Sequence, residues 1–276
     1  MSEFVAGLPM YDWPETRAEV DAEWVRLREA LRKAGVDAPE ARVRKNADLP
    51  PVPGGIRDGE GRVIGPDPAT LPPDEFDFPA LWLHPNLLFA QTCWGPMEQG
   101  LGEHVAVIGQ PSYDGIEGGR GENYSSAILM SGRTEGGVQP PTNGKPLIPL
   151  HLIRGGRLAY NSLDSMSGII ALTRDLQAMG ESIDIFTGRI ETGSHRASIV
   201  AVAEGRADVC AIDCRSWMLA RRREPRAADV RVVGWTALRK GLPYIAAARL
   251  PEAIRAVVTR VLAGPDGLER PYGSTA

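Results

Sequence analysis

The chain has 276 residues, of which 43% are hydrophobic and 24% are charged, a composition typical of soluble proteins with a sizeable core. Its net charge of −4 gives no general attraction to nucleic acid, and no apolar run approaches the ~20 residues that a membrane-spanning helix needs. We therefore expect no nucleic-acid partner and no membrane span, and we expect the basic run at residues 221–223 to be the solvated face of a helix.

The N-terminal segment is predicted to form a strand followed by a helix. Residues 4–10 are a short apolar run that predicts a strand leading into a loop at Tyr11. Asp12 is placed to cap the helix, and Gly35 stands just past its end. Between Asp12 and Gly35, four apolar residues recur at helical spacing: Val20, Trp24, Leu27 and Leu31.

A proline-rich segment follows at residues 49–79, with eight prolines and several glycines. This composition predicts a long surface arm without regular elements that contributes little to the core. Strands are predicted next at residues 80–83, 87–92, 105–108 and 124–130, with a glycine-rich turn at 115–121.

From residue 158 onward, strands alternate with helices. Strands are predicted at 158–161, 183–186, 207–212, 230–233 and 244–248, and helices at 169–179, 194–204, 216–223 and 251–262. This alternation predicts an α/β fold with mostly parallel sheets flanked by helices.

The turn at residues 162–168 joins a strand end to a helix start. The first N–H groups of a helix are unpaired and carry about half a positive charge, so a helix start can hold an anion. Ser165 and Ser167 add hydroxyl groups, and Gly168 would let a ligand approach closely. The alternative is that Asp164 or Ser165 only caps the helix.

A second turn, at residues 191–195, repeats this arrangement. Gly193 and Ser194 precede the helix, and His195 can donate a hydrogen bond to an oxyanion, although a structural role is the alternative. Asp213 ends the strand at 207–212; it can accept a ligand proton, contact an ammonium group or hold a loop. Because open α/β sheets bind ligands at the carboxyl ends of strands, we predict one oxyanion pocket here.

Motifs for enzymes, cofactors and metals are absent. The sequence has no GxSxG, no P-loop, no HExxH and no GxGxxG, so we predict no cofactor. Cys93, Cys210 and Cys214 cannot all pair with one another and lack a histidine cluster, which predicts buried free thiols and no metal site. Residues 1–10 lack the features of a secretory signal, so we expect either a trimmed precursor or a cytosolic protein.

Several motifs resemble the phosphate, phosphite and phosphonate substrate-binding proteins of ABC transporters. They are Asp-Ser-Met-Ser-Gly at 164–168, Thr-Gly-Ser-His-Arg-Ala-Ser at 192–198, Gly-Arg-Ala-Asp-Val at 205–209 and Ala-Ile-Asp-Cys at 211–214. Shorter similarities lie at residues 8–11, 90–93 and 112–114. The resemblance implies the type II periplasmic-binding-protein fold, with two α/β lobes and a ligand cleft between them. Lobe 1 would comprise residues 1–121 and 245–276, including the arm, and lobe 2 residues 122–244.

The same resemblance implies a solute-binding protein for a small phosphate-like oxyanion, with an ABC-transporter membrane component as a possible partner and the periplasm as its location. A cytosolic enzyme or ligand sensor on the same fold is the alternative, with His195 and Asp213 as an acid/base pair or Cys93 as a nucleophile. Met166 stands where many members carry a hydroxyl, which argues against inorganic phosphate and leaves room for an organophosphonate or another ligand. The implied ligand-binding residues are Tyr11, Thr92, Ser165, Met166, Ser167, Gly168, Ser194, His195 and Asp213, with Tyr113 a weaker candidate.

Overall fold

The chain folds into two compact units. The computed structural model describes residues 3–132 and 137–264. One unit comprises Met1–Pro111 and Leu242–Ala276, and the other Ser112–Gly241. The chain thus leaves the first unit after Pro111 and re-enters it after Gly241. We expected these two crossings after residues 121 and 244. Residues 133–136 and 265–276 of the expected lobes lie outside the described residues.

Short strands and helices alternate along the described residues. The strands are β1 (Val5–Gly7), β2 (Ile56–Arg57), β3 (Val63–Gly65), β4 (Leu87–Gln91), β5 (Val105–Gly109), β6 (Gly119–Arg120), β7 (Asn123–Tyr124), β8 (Ser126–Ser131), β9 (Arg157–Tyr160), β10 (Gly188–Glu191), β11 (Val209–Asp213), β12 (Val230–Trp235), β13 (Arg239–Lys240) and β14 (Tyr244–Ala247). The α-helices are α1 (Arg17–Lys33), α2 (Phe78–Trp82), α3 (Trp94–Glu98), α4 (Leu150–Ile153), α5 (Ala171–Ala178), α6 (His195–Ala203), α7 (Cys214–Arg223) and α8 (Glu252–Leu262). None of the helices in the described part is long and apolar enough to cross a membrane.

The first unit is built on a four-stranded sheet in the order β1-β4-β14-β5. β1 and β4 run parallel, whereas the returning strand β14 is antiparallel to both of its neighbours. The predicted apolar face of α1 is buried in this unit's core, as its helical spacing required. Asp12 does not cap that helix, because its carboxylate instead accepts hydrogen bonds from Arg44 at 2.6 and 3.1 Å.

The second unit is built on a five-stranded sheet in the order β10-β9-β11-β8-β12. β10, β9 and β11 are parallel, while β8 is antiparallel to both β11 and β12. The sheets are therefore mixed, where mostly parallel sheets were expected. As a result, the carboxyl ends of β9, β10 and β11 share one edge with the first residue of β8, and this edge is called the binding edge below.

The proline-rich arm is more ordered than its composition predicted. It contains a small antiparallel pair, β2 and β3, and Ile56 in this pair is only 1% exposed. Leu49 joins the core of the first unit, and Asp67 accepts a hydrogen bond from Val52 N at 2.9 Å. The prediction of an arm without regular elements that adds little to the core was wrong, because prolines end elements without preventing short ones between them.

Two other local predictions were wrong. Residues 80–83 form the end of α2 and not a strand, because the Asp77 carboxylate caps this helix at Ala80 N, 2.7 Å away. Residues 183–186 contain a 3₁₀ turn that Ser182 caps, and the next strand is β10. The glycine-rich turn was predicted correctly at residues 115–118, and the two-residue strand β6 follows it within the predicted range. Short apolar runs do not distinguish strand from helix, so the capping side chains decide.

Candidate functional site

The two predicted turns lie side by side at the binding edge. β9 and β10 are parallel neighbours that end opposite each other, at Tyr160 and Glu191. Thr192 N donates to Tyr160 O at 2.9 Å, and Gly193 N donates to Asn161 O at 3.0 Å. These backbone bonds fix the second turn against the first, as the shared edge of parallel strands requires.

The first turn leads into a wide helical turn before α5. Residues Met166–Ile170 form a π-turn, in which Ile170 N donates to Ser165 O at 3.1 Å. Ser165 is the N-cap, and its Oγ accepts a hydrogen bond from Gly168 N at 3.0 Å. The capping alternative for Ser165 therefore holds. π-turns are frequent at functional sites, because the extra residue widens the helix start.

Gly168 is required for close packing inside the turn. A Cβ at this position would lie 2.0 Å from Asn161 Oδ1. The space that a ligand was expected to use beside Gly168 is therefore filled by the Asn161 amide. Asn161 Oδ1 is itself buried and has no hydrogen-bond partner among the described residues.

The second turn places His195 at the first position of α6. Ser194 is the N-cap, since its Oγ accepts from Ala197 N at 3.1 Å. Thr192 Oγ1 lies 2.7 Å from Ser198 Oγ, which ties the turn to the body of the helix. Both predicted helix starts are thus capped by serines, and their remaining N–H groups lie at the binding edge.

Three predicted residues from different segments converge there. Ser167 Oγ lies 2.8 Å from His195 Nε2, and the same nitrogen lies 3.3 Å from Asp213 Oδ2. Side-chain exposure is 14% for His195 and 3% for Asp213. The structure therefore forms a largely buried row of hydroxyl, imidazole and carboxylate.

Asp213 also has a structural role. Its Oδ1 accepts hydrogen bonds from Arg215 N at 3.0 Å and Ser216 N at 2.9 Å, so the carboxylate caps α7. The other oxygen, Oδ2, is the one beside His195. Oδ1 thus caps α7, while Oδ2 lies next to the His195 imidazole.

The imidazole of His195 is held neutral. Burial lowers its pKa below the usual value of 6.5, and the nearby Asp213 carboxylate offsets this only in part. A neutral ring has one N–H, and Nε2 has both a hydroxyl and a carboxylate within reach as acceptors. Nδ1 is buried and has no partner in the described part of the chain. The tautomer with the proton on Nε2 fits this arrangement.

The remaining predicted residue of the first turn, Met166, is buried, with its Sδ 3.9 Å from Arg174 Nη1. Two polar residues at the same edge were not singled out from the sequence, Asn161 and Ser126. Ser126 pairs with Asp213 across β8 and β11. Its position beside Asp213 depends on the register of the two strands, for which the sequence carries no local signal.

Tyr11 and Thr92 belong to the first unit. Tyr11 is buried, and its carbonyl accepts a hydrogen bond from Thr16 Oγ1 at 3.1 Å. Thr92 directly follows β4 and donates its N–H to Pro243 O at 3.1 Å, while its buried Oγ1 has no partner among the described residues. Tyr113, the weaker candidate, is fully buried in the second unit and packs against Tyr124.

Two of the three cysteines are buried and weakly reactive. None of the three forms a disulfide; Cys210 and Cys214 are buried, as predicted, whereas Cys93 is partly exposed. Burial raises the pKa of the Cys210 and Cys214 thiols, which keeps them protonated and weakly nucleophilic. Within residues 3–132 and 137–264, no cluster of three His, Cys, Asp or Glu residues is arranged to hold a metal ion.

Comparison with known proteins gives one family match and several similar structures. The family of periplasmic substrate-binding proteins of phosphonate ABC transporters matches residues 124–270, more than half of the chain. No curated protein matches the sequence. PhnD1 from Prochlorococcus marinus (MIT 9301), solved in complex with methylphosphonate, is 15% identical with a TM-score of 0.59, over 94% of this chain and 84% of its own.

Two further structures have the same fold. PA3383 from Pseudomonas aeruginosa, a binding-protein component of an ABC phosphonate transporter, is 10% identical with a TM-score of 0.57, over 95% of this chain and 76% of its own. XAC2383 from Xanthomonas citri, solved bound to chloride, is 16% identical with a TM-score of 0.53, over 95% of this chain and 85% of its own. At such low identity these matches establish the fold, and they confirm the predicted fold class.

Proposed function

Because this chain belongs to the family of periplasmic substrate-binding proteins of phosphonate ABC transporters, we propose that its ligand is a small phosphorus oxyanion, an organophosphonate in preference to phosphate. Family membership confirms the predicted resemblance and the prediction of a binding protein. It also places the chain among substrate-binding proteins and not among enzymes, so the enzyme and sensor alternatives are not favoured.

The observation that carries the proposal is the convergence of Ser167, His195 and Asp213 at two adjacent helix starts. Helix N-termini favour negative charge, and hydroxyl and N–H donors form strong hydrogen bonds to ionised oxygens. Ser167 would donate its hydroxyl, and His195 Nε2 its N–H, to oxygens on phosphorus. Ser165, Met166, Gly168 and Ser194 would form the turns that surround them.

Asp213 supports a ligand that carries a proton or a cationic group. A carboxylate next to the bound anion would repel a fully ionised oxyanion. Asp213 Oδ2 would accept a hydrogen bond from a P–OH group, or from an ammonium group on the organic substituent. Either contact would explain why a negatively charged side chain stands at an anion site.

Met166 supports an organic substituent on phosphorus. We propose that this buried, apolar side chain contributes no donor to the ligand where a hydroxyl would add one. We propose that Tyr11 and Thr92 also contact the ligand, and the unpaired buried hydroxyl of Thr92 is consistent with this role.

Since the family is periplasmic, we propose the same location for this protein, to be tested by fractionation of the native host.

Isothermal titration calorimetry tests the ligand class directly. The purified full-length protein is titrated with methylphosphonate, an aminoalkylphosphonate, phosphite, phosphate and sulfate. We expect saturable one-to-one binding of at least one phosphorus oxyanion and weaker binding of sulfate, which carries no proton for Asp213 at neutral pH. Absence of binding to every phosphorus compound would contradict the proposal.

A further inference from the structure

Ser126 lies directly opposite Asp213 in the sheet. The two residues are register partners in the antiparallel pair of β8 and β11. Side chains of directly opposed residues point to the same face of a sheet, with their Cβ atoms ~5 Å apart. The side chains of Ser126 and Asp213 therefore start next to each other on one face of the sheet.

The position of Ser126 is fixed through its backbone. Ser126 N donates to Thr236 Oγ1 at 2.8 Å, and Thr236 N donates to Ser126 O at 2.9 Å. Ser126 is the first residue of β8, so it lies at the same edge as the carboxyl end of β11. Neither backbone bond uses the side-chain hydroxyl.

That hydroxyl is buried and forms no hydrogen bond to any of the described residues. Ser126 is 0% exposed, and in the described part of the chain its Oγ has no hydrogen-bond donor or acceptor in contact. An unsatisfied buried hydroxyl destabilises a folded protein, and alanine would fit the same space without this cost. A polar group that costs stability in the fold is best explained by a role in binding.

We propose that Ser126 is a further specificity-determining residue, which hydrogen-bonds the ligand group next to Asp213. This inference rests on the proposed function. A P–OH group fits the pair, because it donates its proton to Asp213 Oδ2 while its oxygen accepts the Ser126 hydroxyl proton. A methyl or alkyl group on phosphorus makes neither bond. Ser126 thus favours ligands that present an oxygen at this position.

Replacement of Ser126 by alanine tests the proposal through two effects of opposite sign. Loss of one hydrogen bond to a charged ligand lowers affinity by about tenfold or more, so Ser126→Ala should bind phosphate and phosphite at least about tenfold more weakly. Affinity for methylphosphonate should fall by a similar factor, because its singly protonated form also presents a P–OH group to Ser126 and Asp213. The thermal midpoint of the free protein should stay equal or rise, because the unsatisfied hydroxyl is gone.

Two further variants separate binding from folding. Ser125→Ala removes the same atom from the preceding residue, and we expect it to bind like the wild type. Ser126→Thr retains the hydroxyl, and we expect it to keep the wild-type affinity for phosphate and phosphite. If Ser126→Ala binds every oxyanion within about twofold of the wild type while His195→Ala is impaired, only the role of Ser126 is overturned. If the wild type binds no oxyanion, the proposed function fails with it.

Discussion

Ser167 Oγ and His195 Nε2 lie 2.8 Å apart although 28 residues separate them in the chain. The contact exists because β9 and β10 are parallel neighbours, so that the helices after them start side by side. Ser167 is not the capping residue of its helix, since Ser165 makes that bond. The Ser167 hydroxyl is therefore not used as a cap, and we propose that it contacts the ligand.

Replacement of either partner is predicted to weaken oxyanion binding without unfolding the protein. Each side chain would donate one hydrogen bond to a charged ligand, worth about 1.5–3 kcal/mol, so Ser167→Ala and His195→Ala should each lower affinity by about ten- to a hundredfold. Calorimetric titration with the tightest-binding oxyanion measures this loss, and thermal melts report folding.

Matched controls for these variants lie away from the binding edge. Ser131 and His151 are exposed, so Ser131→Ala and His151→Ala remove the same chemical groups from the surface. Both should bind normally. A purely structural role for Ser167 and His195 would instead lower the melting temperature of the two test variants and leave their affinity unchanged.

Alanine at Gly168 is predicted to be disruptive because of Asn161. The added Cβ would lie 2.0 Å from Asn161 Oδ1, so the amide must move. Overpacking of this kind costs about 1–3 kcal/mol, measurable by urea denaturation, and it should also reduce affinity. Gly188→Ala is the control, since its Cβ meets Arg157 at an ordinary 3.6 Å. The double variant with Asn161→Ala should recover part of the loss; strictly additive effects would show that the two positions are not coupled.

Stability is predicted to fall as the pH drops below about 6.5. Burial lowers the pKa of His195 and of His84, so both rings stay neutral in the folded protein while the unfolded chain binds protons near pH 6.5. Their contribution is complete above that pH and is lost progressively below it. Urea denaturation at about pH 7.5 and about pH 5 measures the difference, which should be smaller in His195→Gln. An equal pH dependence in the variant would contradict the neutral, buried state of His195.

The proline-rich arm is predicted to contribute to stability through its buried hydrophobic residues, of which Ile56 is the most deeply buried. Ile56 is 1% exposed, so Ile56→Ala should lower the free energy of unfolding by about 2–5 kcal/mol. Val63, in the paired strand, is 56% exposed, and Val63→Ala should change it by less than about 0.5 kcal/mol. Similar, small effects of both substitutions would support the loose surface arm that composition suggested.

Local sequence patterns were sufficient where a single segment determines the structure. The spacing of Val20, Trp24, Leu27 and Leu31 correctly predicted a buried helix face, because helical periodicity is a local property. Sequence patterns failed where the same apolar pattern fits both a strand and a helix. The run at residues 80–83 is apolar enough for a strand, and only the capping contact of Asp77 shows that it is helical.

The binding edge was predictable only in part, for a related reason. The motifs around Ser167 and His195 identify two helix starts, and α/β topology predicts that both lie at one edge. Ser126 has no such motif. Its position beside Asp213 follows from the register of two antiparallel strands that are distant in sequence, and the packing of Asn161 against Gly168 follows from side-chain conformation.

Replacement of Asp213 by asparagine is predicted to separate its two roles. The new amide oxygen can still accept the Arg215 and Ser216 N–H bonds, so α7 stays capped and the melting temperature should change little. The negative charge beside His195 is lost, however. If Asp213 accepts a proton from the ligand, the wild type prefers the singly protonated oxyanion, and its affinity for phosphate should fall as the pH rises through the second ionisation of the ligand.

In Asp213→Asn this dependence should be much weaker, because the variant no longer repels the doubly charged form. Titrations with phosphate from about pH 6 to about pH 8 span the relevant ionisation. Asp208→Asn is the matched control, since it removes the same charge at the other end of the strand. Asp208 directly precedes β11 and forms an ion pair with Arg157 at 2.8 Å. It should retain the wild-type pH profile. Parallel profiles for the wild type and Asp213→Asn would show that Asp213 accepts no ligand proton and acts only as the cap of α7.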